Sequence, residues 1–486
     1  MTFNSYGFIL CFLPIFVIVY FLLGKLHRTA GKAVIIAASA VFYAFAGLNM
    51  AALLGASIAI NFVMALFIVG KRPQKGPLIL AILLNIGLLL YFKYLNFGIE
   101  TVNFIAQKSI PERQILLPLG ISFFTFQQIM YAVSVWKGEI ERVRPMDYLA
   151  YILYFPKLVM GPLMEPTDFI AQLNDGEKRS VNWDNVASGL KLFSLGLFKK
   201  MVLADTFAGT VAWGYANAGT TAQAAATSGD LFLVMLFYTF QIYFDFSGYS
   251  DMAVGVSQMI NITLPINFNS PYKAVSIRDF WRRWHMSLTS FLTKYIYYPL
   301  GGSKKGQVRT CVNIMIVFLV SGIWHGANWT FIVWGCLHGL LQIVERVFKR
   351  GVDKLSKVVR WGVSFLSVNL LWLLFGSESV GQWIGMLRTM FRFENMKISE
   401  GLLNAFVVPE NAFLLDTLHL TQANAQVRGF SMLLYLAAAF AICLIPENNY
   451  KRMHRTNGLN MVVCAVAFVW GFLCLSIESQ FLYFNF

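Results

Sequence analysis

Charged residues are scarce in this sequence. Of its 486 residues, 13% are Asp, Glu, Lys or Arg and 57% are hydrophobic, whereas soluble domains carry roughly 25% charged residues. This composition excludes an ordinary soluble domain and predicts an integral membrane protein. The apolar runs are about 17–22 residues long, which suits α-helices that cross ~30 Å of hydrocarbon. Barrel strands would instead alternate over roughly ten residues, and that pattern is absent.

Acidic residues are rarer than basic ones, 24 against 39, which gives a net charge of +15. The basic residues cluster in short connections between apolar runs, so the positive-inside rule explains them better than nucleic-acid binding does. Basic connections alternate with weakly charged ones along the first half of the chain. We therefore predict that the N-terminus lies outside the cytoplasm and that the connection 25–32 is cytoplasmic.

Several motifs of metal and hydrolase chemistry are missing. The six cysteines show no C-x-x-C or other metal-ligand spacing, so they are predicted to be small core residues. No H-E-x-x-H motif, Rossmann fingerprint or G-x-S-x-G elbow occurs either. The sequence thus predicts no metal site and no serine-hydrolase centre of its own.

The apolar runs predict an all-α polytopic membrane protein of about eleven transmembrane helices, with re-entrant or interfacial helices, in one domain over residues 1–486. Residues 146–166 are apolar but contain Pro156 and Pro162, which predicts a broken helix buried by protein. A polar loop is expected at 208–229 and a longer connection at 377–427. Further runs lie at 7–24, 33–48, 51–70, 76–95, 115–136, 187–204, 231–246, 361–376, 429–445 and 459–477.

The segment SGIWHGANWT, residues 321–330, places His325 within a long stretch that has no charged residue. Basic clusters flank this stretch at both ends and it is too long for one crossing. We therefore predict two passes with a turn near 322–328, where glycines loosen the helix. Gly322 and Gly326 could leave room for a ligand, and two tryptophans could wall a pocket, Trp324 and Trp329. Because ionisable groups at membrane depth usually face a cavity or a partner, His325 is either functional or a core histidine bonded between helices.

A basic and aromatic stretch, SIRDFWRRWH, covers residues 276–285. Its arginines, tryptophans and histidine are Arg278, Arg282, Arg283, Trp281, Trp284 and His285. One interpretation is an amphipathic helix at the cytoplasmic interface, with arginines facing lipid phosphates. The other is a site that attracts an anionic, phosphate-bearing donor.

The segment QIYFDFSGYSDM, residues 241–252, places Asp245 and Asp251 at the end of an apolar run. These carboxylates could pair with the arginines at 278–283, either as an intramembrane ion-pair network or as catalytic groups. His338 follows His325 by thirteen residues in an apolar helix, and we predict that it is a core histidine.

Five stretches together resemble one family, the membrane-bound O-acyltransferases, and within it the bacterial alginate O-acetyltransferase branch. The resemblance runs nearly from end to end, and the closing FLYFNF is also typical of the family. The D-alanyl transferases of teichoic acids form a related branch. The matching stretches are LPLGISFFTFQQIMY (117–131), QIYFDFSGYSDMAVG (241–255), NFNSPY (267–272), IRDFWRRWHMSLTSFLTKYIYYPLGG (277–302) and SGIWHGANWTFIVWGCLHG (321–339).

The resemblance implies a ring of tilted helices around a thin centre with a tunnel, in a bacterial cytoplasmic membrane. It implies two catalytic histidines, His325 from the GIWHGA motif and His285 from WRRWH. It also implies an O-acetyltransferase with no permanently bound cofactor. Acetyl-CoA would enter from the cytoplasm, and the acceptor would be an extracytoplasmic polysaccharide or a partner protein that relays the acetyl group. Four residues are expected at the donor: Arg278, Arg282, Arg283 and Trp284.

Three alternatives remain open at this stage. A D-alanyl transferase would take its acyl group from the thioester of a carrier protein. A proton-coupled transporter or flippase would use an intramembrane histidine as a proton relay, although no internal repeat of the transporter kind is found. A scaffolding subunit is the third alternative, and the buried histidine argues weakly against it.

Overall fold

The computed structural model describes residues 1–70, 74–218, 226–408, 417, 424–455, 457–476 and 481–482. Within these ranges the chain forms helices and connecting loops and no β-strand, so the predicted all-α class is confirmed. Parts of three features used above lie outside the described residues: positions 219–225 of the predicted loop 208–229, most of 409–423 in the connection 377–427, and the last four residues of FLYFNF.

Ten helices lie within the part of the first half that the structure describes. They are α1 Phe8–Leu26, α2 Arg28–Ala44, α3 Leu48–Ile68, α4 Lys75–Ala106, α5 Ile121–Trp136, α6 Pro145–Leu153, α7 Phe155–Leu158, α8 Pro166–Asn174, α9 Trp183–Phe198 and α10 Asp205–Asn217. A π-helical segment, Lys199–Ala204, joins α9 to α10 without a break.

Eleven more helices lie within the described residues of the second half. They are α11 Ser228–Met259, α12 Ile277–Trp281, α13 Met286–Leu292, α14 Gly306–His325, α15 Trp329–Val347, α16 Lys349–Val352, α17 Lys357–Phe375, α18 Val380–Arg392, α19 Glu400–Ala405, α20 Asn424–Leu444 and α21 Gly458–Leu473.

Seven of the described helices are long and apolar enough to cross a membrane, and two shorter apolar helices, at 29–44 and 458–473, accompany them. The total of about eleven crossings stays a prediction. The broken segment at 146–166 is confirmed, because α6 ends at Leu153 and only one short helix follows before Pro166. Its backbone is buried by protein, as a break inside a membrane requires.

Several predicted boundaries are wrong because polar residues continue the helices. The run 76–95 extends to Ala106, and the loop predicted to begin at residue 208 is helical up to Asn217. The run 231–246 is the middle of a helix that spans 228–259. The connection 377–427 contains two helices, α18 and α19.

Helix α11 is the central element of the fold. In its membrane-spanning window 83% of the residues are buried, against 17–44% in the other six long helices. Helix α9 crosses it closely through glycines: a Cβ on Gly189 would lie 2.5 Å from the Gly255 carbonyl oxygen, and one on Gly196 would lie 2.6 Å from that of Gly248. Small residues allow this approach between helices in membranes.

Helices α14 and α15 form a hairpin, as predicted for the long uncharged stretch. A Cβ on Gly322 would lie 2.3 Å from the Phe331 carbonyl oxygen, and one on Gly335 would lie 2.4 Å from that of Phe318. The two backbones are therefore in direct contact. This close packing places the turn between the helices, and with it His325, in a fixed position.

Candidate active site

His325 is the last residue of α14 and is 4% exposed. The turn after it is held by Asn328, whose side-chain oxygen accepts a hydrogen bond from the Thr330 amide at 2.9 Å and whose Nδ2 donates to the Glu378 carbonyl at 2.9 Å. This N-cap begins α15 and fixes the hairpin end. The imidazole thus sits on a rigid element and not on a mobile loop.

Aromatic rings enclose His325. The ring centroids of Trp324, Trp334 and Phe375 lie 4.9, 5.2 and 5.3 Å from its own. Trp324 was predicted to wall a pocket and does so, but Trp329 is 52% exposed and stands against Phe97 instead. The site is therefore mostly apolar, and water has little access to it.

The prediction that Gly322 and Gly326 leave room for a ligand is wrong. The space at Gly322 is filled by the backbone of α15, and a Cβ on Gly326 would lie 2.0 Å from the Phe331 ring. Both glycines serve the close packing of the hairpin.

His285 lies in the same aromatic cluster as His325. It is 1% exposed, and its ring centroid is 6.0 Å from that of Trp324 and 4.8 Å from that of Phe246. Because Trp324 also contacts His325, one indole lies against both imidazoles. The structure therefore brings together the two histidines that the sequence singled out from motifs forty residues apart.

The backbone at His285 is strained, with a φ of 44° in the left-handed region. Few residues other than glycine adopt this conformation, most often Asn, Asp and His, and it costs roughly 1–2 kcal/mol. Asn267 holds the turn that follows. Its backbone oxygen accepts from the Met286 amide at 3.0 Å, and its Oδ1 accepts from the Ser287 amide at 3.2 Å and hydroxyl at 2.7 Å.

The Ser287 hydroxyl also accepts a hydrogen bond from the Leu163 amide at 3.0 Å. This bond ties the broken segment at 146–166 to the turn of His285. The motif NFNSPY had no predicted role in the sequence, yet its first residue positions a candidate catalytic histidine. Only its position in a motif shared with relatives could have drawn attention to Asn267.

A cavity of about 90 Å³ borders His325. Its other walls are the loop 117–120, the first residues of α5, Val159 and Met160 from the broken segment, Trp324, and Lys93 from α4. Gly120 allows the loop to lie against the broken segment, since its φ is 72° and a Cβ there would be 2.9 Å from the Leu158 oxygen.

Lys93 is a site residue that sequence analysis missed. Its Nζ donates to the Trp324 carbonyl at 2.8 Å and to the His325 carbonyl at 2.9 Å. Its neighbour Tyr94 donates to the Ile323 carbonyl. Together they satisfy the open carbonyls at the C-terminus of α14, where a cation is favoured. In the sequence, Lys93 resembled a loop residue because charge usually marks the end of a span.

The basic stretch divides into two parts. Arg278 and Arg282 are exposed, whereas the Arg283 Nε donates to Asp279 Oδ1 at 2.9 Å. Trp284 is fully buried and packs against Trp372, Phe268 and Phe280 with centroids 4.8, 5.0 and 5.5 Å away. Trp284 is thus a core residue, and it does not share a surface with the two exposed arginines.

The predicted pairing of Asp245 and Asp251 with the arginines is wrong. Asp245 lies inside α11 and binds Lys200 at 2.7 Å, and Asp251 binds Lys199 at 2.7 Å. Lys200 also contacts Asp205 at 2.8 Å. This is the ion-pair network that was one of the two interpretations, and it joins the π-helical segment 199–204 to α10 and α11 without the arginines.

His338 is fully buried, as predicted for a core histidine. Its Nδ1 accepts from Trp281 Nε1 at 3.3 Å, and its ring lies 4.8 Å from that of Trp334. Its Nε2 has no hydrogen-bond partner within the described ranges. His338 thereby links the WRRWH stretch to α15. Among described residues, no group of three His, Cys, Asp or Glu side chains could hold a metal ion.

Comparison with known proteins identifies the family. The sequence model of the membrane-bound O-acyltransferase family matches residues 113–377. The chain is 34% identical to the peptidoglycan O-acetyltransferase of Helicobacter pylori, over 100% of this chain and 98% of that protein. It is also 34% identical to a probable alginate O-acetylase, AlgI, of Pseudomonas putida, over the full length of both.

A more distant relative is the teichoic acid D-alanyltransferase of Streptococcus thermophilus, which is 28% identical over 49% of this chain and 59% of that protein. Both candidate histidines lie inside the region that the family model matches, and Lys93 lies outside it. These similarities show that the chain is an acyltransferase and belongs to the membrane-bound O-acyltransferase family.

Proposed function

We propose that this protein moves an acetyl group from acetyl-CoA on the cytoplasmic side of a bacterial inner membrane to hydroxyl groups of an extracytoplasmic polysaccharide. Transfer is either direct or relayed by a partner protein. The observation that carries the proposal is that His325 and His285 meet at Trp324, beside a cavity in the membrane-spanning part of the chain. Similarity over the whole chain to two O-acetylating proteins supports acetyl as the group transferred.

The depth of His325 supports transfer across the membrane. It follows Gly306, which lies next to Lys304 and Lys305, by 19 residues of continuous helix. A rise of 1.5 Å per residue puts it roughly 28 Å from that basic end. Since the hydrocarbon core is ~30 Å thick, His325 lies near the face opposite the basic loops. Those loops are cytoplasmic under the positive-inside rule, which also puts the N-terminus outside.

In the proposed reaction His325 acts as a general base. Its neutral imidazole takes the proton of the acceptor hydroxyl while that oxygen attacks the thioester carbonyl carbon. A C–O bond forms, the carbonyl oxygen becomes an oxyanion, and the C–S bond then breaks. The leaving thiolate takes the proton from His325. His285, held at its turn by Asn267, stabilises the oxyanion or orients the thioester.

The exposed arginines, Arg278 and Arg282, attract the phosphates of the donor from the cytoplasmic side. Arg283 supports this stretch through its bond to Asp279. Trp284 is buried beneath this stretch, so it packs in the core and does not touch the donor. The arginines make free acetyl-CoA a better candidate than a donor whose phosphate lies within a carrier protein.

Substituting His325 tests the proposal. The His325→Ala variant should insert into the membrane at normal levels and lose acetylation of the secreted polymer, because general bases contribute about 100- to 10,000-fold to rate. The measurement is ester-linked acetate per unit of polymer in a host that lacks its own copy. His454→Ala removes an exposed histidine and serves as the matched control. Normal acetylation by His325→Ala would contradict the mechanism.

The donor is tested separately with purified protein in lipid nanodiscs. Acetyl-CoA should support transfer, and a carrier protein loaded with D-alanine should not. Transfer of D-alanine alone would favour the related branch. Movement of an unmodified substrate across the bilayer without acyl transfer would favour a transporter.

A further inference from the structure

Lys93 combines two structural features at one site. Two of its three N–H groups bind the carbonyls of Trp324 and His325, and its side chain also lines the cavity that borders His325. An ammonium group has three donors, so one remains for a ligand in the cavity.

The charge of Lys93 is not neutralised by a carboxylate within the described part of the chain. Three other buried lysines do have a carboxylate: Lys32 binds Asp147, Lys199 binds Asp251, and Lys200 binds two aspartates. Two more, Lys157 and Lys191, donate instead to Gln127 and to backbone carbonyls, but neither lines the cavity beside His325. A cation in a low-dielectric site gains much from an opposite charge. At Lys93 the cavity is the open space in which a ligand could supply that charge.

The far wall of the cavity adds to the positive potential. It is formed by the loop 117–120 and the first residues of α5, a helix of 16 residues whose N-cap is Gly120. Amide groups at a helix N-terminus carry a partial positive charge. The lysine and the helix end therefore act on the same small space.

The position of this space along the membrane normal indicates which substrate reaches it. Lys93 follows Lys75, at the basic end of α4, by 18 residues, which corresponds to roughly 27 Å of helix. This matches the depth of His325 and puts the cavity near the face opposite the basic loops. Under the proposed function, that is the side from which the acceptor approaches.

We propose that Lys93 is a specificity-determining residue that binds an anionic group of the acceptor, a carboxylate or phosphate next to the hydroxyl that His325 deprotonates. This inference rests on the proposed function. Among the polysaccharides that could be the acceptor, the inference selects those that carry acidic groups. Its anionic group pairs with the Lys93 ammonium and thereby holds the neighbouring hydroxyl at the imidazole.

Equilibrium binding tests the inference without any turnover. The probes are a hexuronate trisaccharide, its neutral methyl ester and a glycerol phosphate trimer, each titrated by calorimetry against the protein in nanodiscs. The wild type should bind the uronate or the phosphate at least about tenfold more tightly than the ester, the size expected for a charge-assisted hydrogen bond. The tighter of the two anions identifies which acidic group the site takes.

The variants separate charge from structure. Lys93→Met should remove the preference for the anion, and Lys93→Arg should keep most of it. Tyr94→Phe loses a hydrogen bond to the same helix end but no charge. Lys191→Met removes a lysine that also donates to two carbonyls, those of Arg452 and Arg455, away from the cavity. Both controls should keep the wild-type preference.

Equal binding of the ester and both anions by the wild type, or an unchanged preference in Lys93→Met, would overturn the inference. Absence of anion binding by the wild type would overturn it too. A different result would contradict the proposed function, namely acetyl transfer by the His325→Ala variant. Because His325→Ala retains Lys93, it should still bind the anion, and so the two failures are distinguishable.

Discussion

Two lysine sites in this protein differ in what neutralises their charge. In the π-helical segment 199–204, Lys199 and Lys200 bind three aspartates of α10 and α11 within 2.8 Å. At the end of α14, Lys93 binds only backbone carbonyls and borders a cavity. The first arrangement is complete without a ligand and holds helices together. The second leaves charge available beside a histidine, which is what a binding site requires.

The largest effect on stability is expected from breaking the complete network. Lys200→Met leaves Asp205 and Asp245 buried without their cation, and the Lys200 side chain is only 1% exposed. Removing one partner of a buried ion pair typically costs about 3–5 kcal/mol. The measurement is the unfolding free energy in detergent micelles, with Lys137→Met, at a half-exposed lysine, as control. A loss below about 1 kcal/mol, the value for surface pairs, would show that the network is not structural.

A smaller effect is expected from loosening the candidate site. Asn267→Ala removes the acceptor for the Ser287 amide and hydroxyl, and unsatisfied buried donors cost about 1–3 kcal/mol. His285 would lose the turn that holds it, so the rate of acetyl transfer should fall more than stability does. Initial rates and melting temperatures measure the two effects.

Asn267→Asp is the matched control, because it keeps an acceptor oxygen at the same place and should retain most of the transfer rate. If Asn267→Ala kept the wild-type rate, Asn267 would not position His285.

The smallest effect is expected at the exposed charges. Replacing both Arg278 and Arg282 by Ala should raise the KM for acetyl-CoA roughly three- to tenfold and leave kcat unchanged, because exposed ionic contacts contribute about 0–1 kcal/mol each. The effect should shrink as salt is added. Lys349 and Arg350, two other exposed basic residues, provide a control pair. An unchanged KM at low salt would remove the arginines from the donor site.

The sequence predicted those parts of the molecule whose signals are local. The length of the apolar runs predicted the helical class, and Pro156 and Pro162 predicted the broken helix. A long uncharged stretch with basic clusters at both ends predicted the turn at His325. The motifs that resemble the family led to both histidines. These features depend on residues in one continuous segment of the chain, or on a pattern shared with relatives.

The features that sequence analysis missed depend on distant contacts. Lys93 binds carbonyls more than 230 positions away, and Asp245 finds its cation 45 positions away. Trp284 looked like part of a basic surface, but the turn after Trp281 directs it into the core. The spacing of residues in the sequence does not predict such partners, because the packing of helices against each other decides which residues meet.

The most direct test measures whether the site of His285 and His325 transfers an acetyl group across the bilayer. Proteoliposomes enclose an extracytoplasmic extract of the host, with its polysaccharide and partner proteins, and acetyl-labelled CoA is added outside. We predict that wild-type protein and His454→Ala label the enclosed polysaccharide, while His325→Ala reduces labelling at least about 100-fold. Labelling by His325→Ala at the wild-type rate would contradict the central claim.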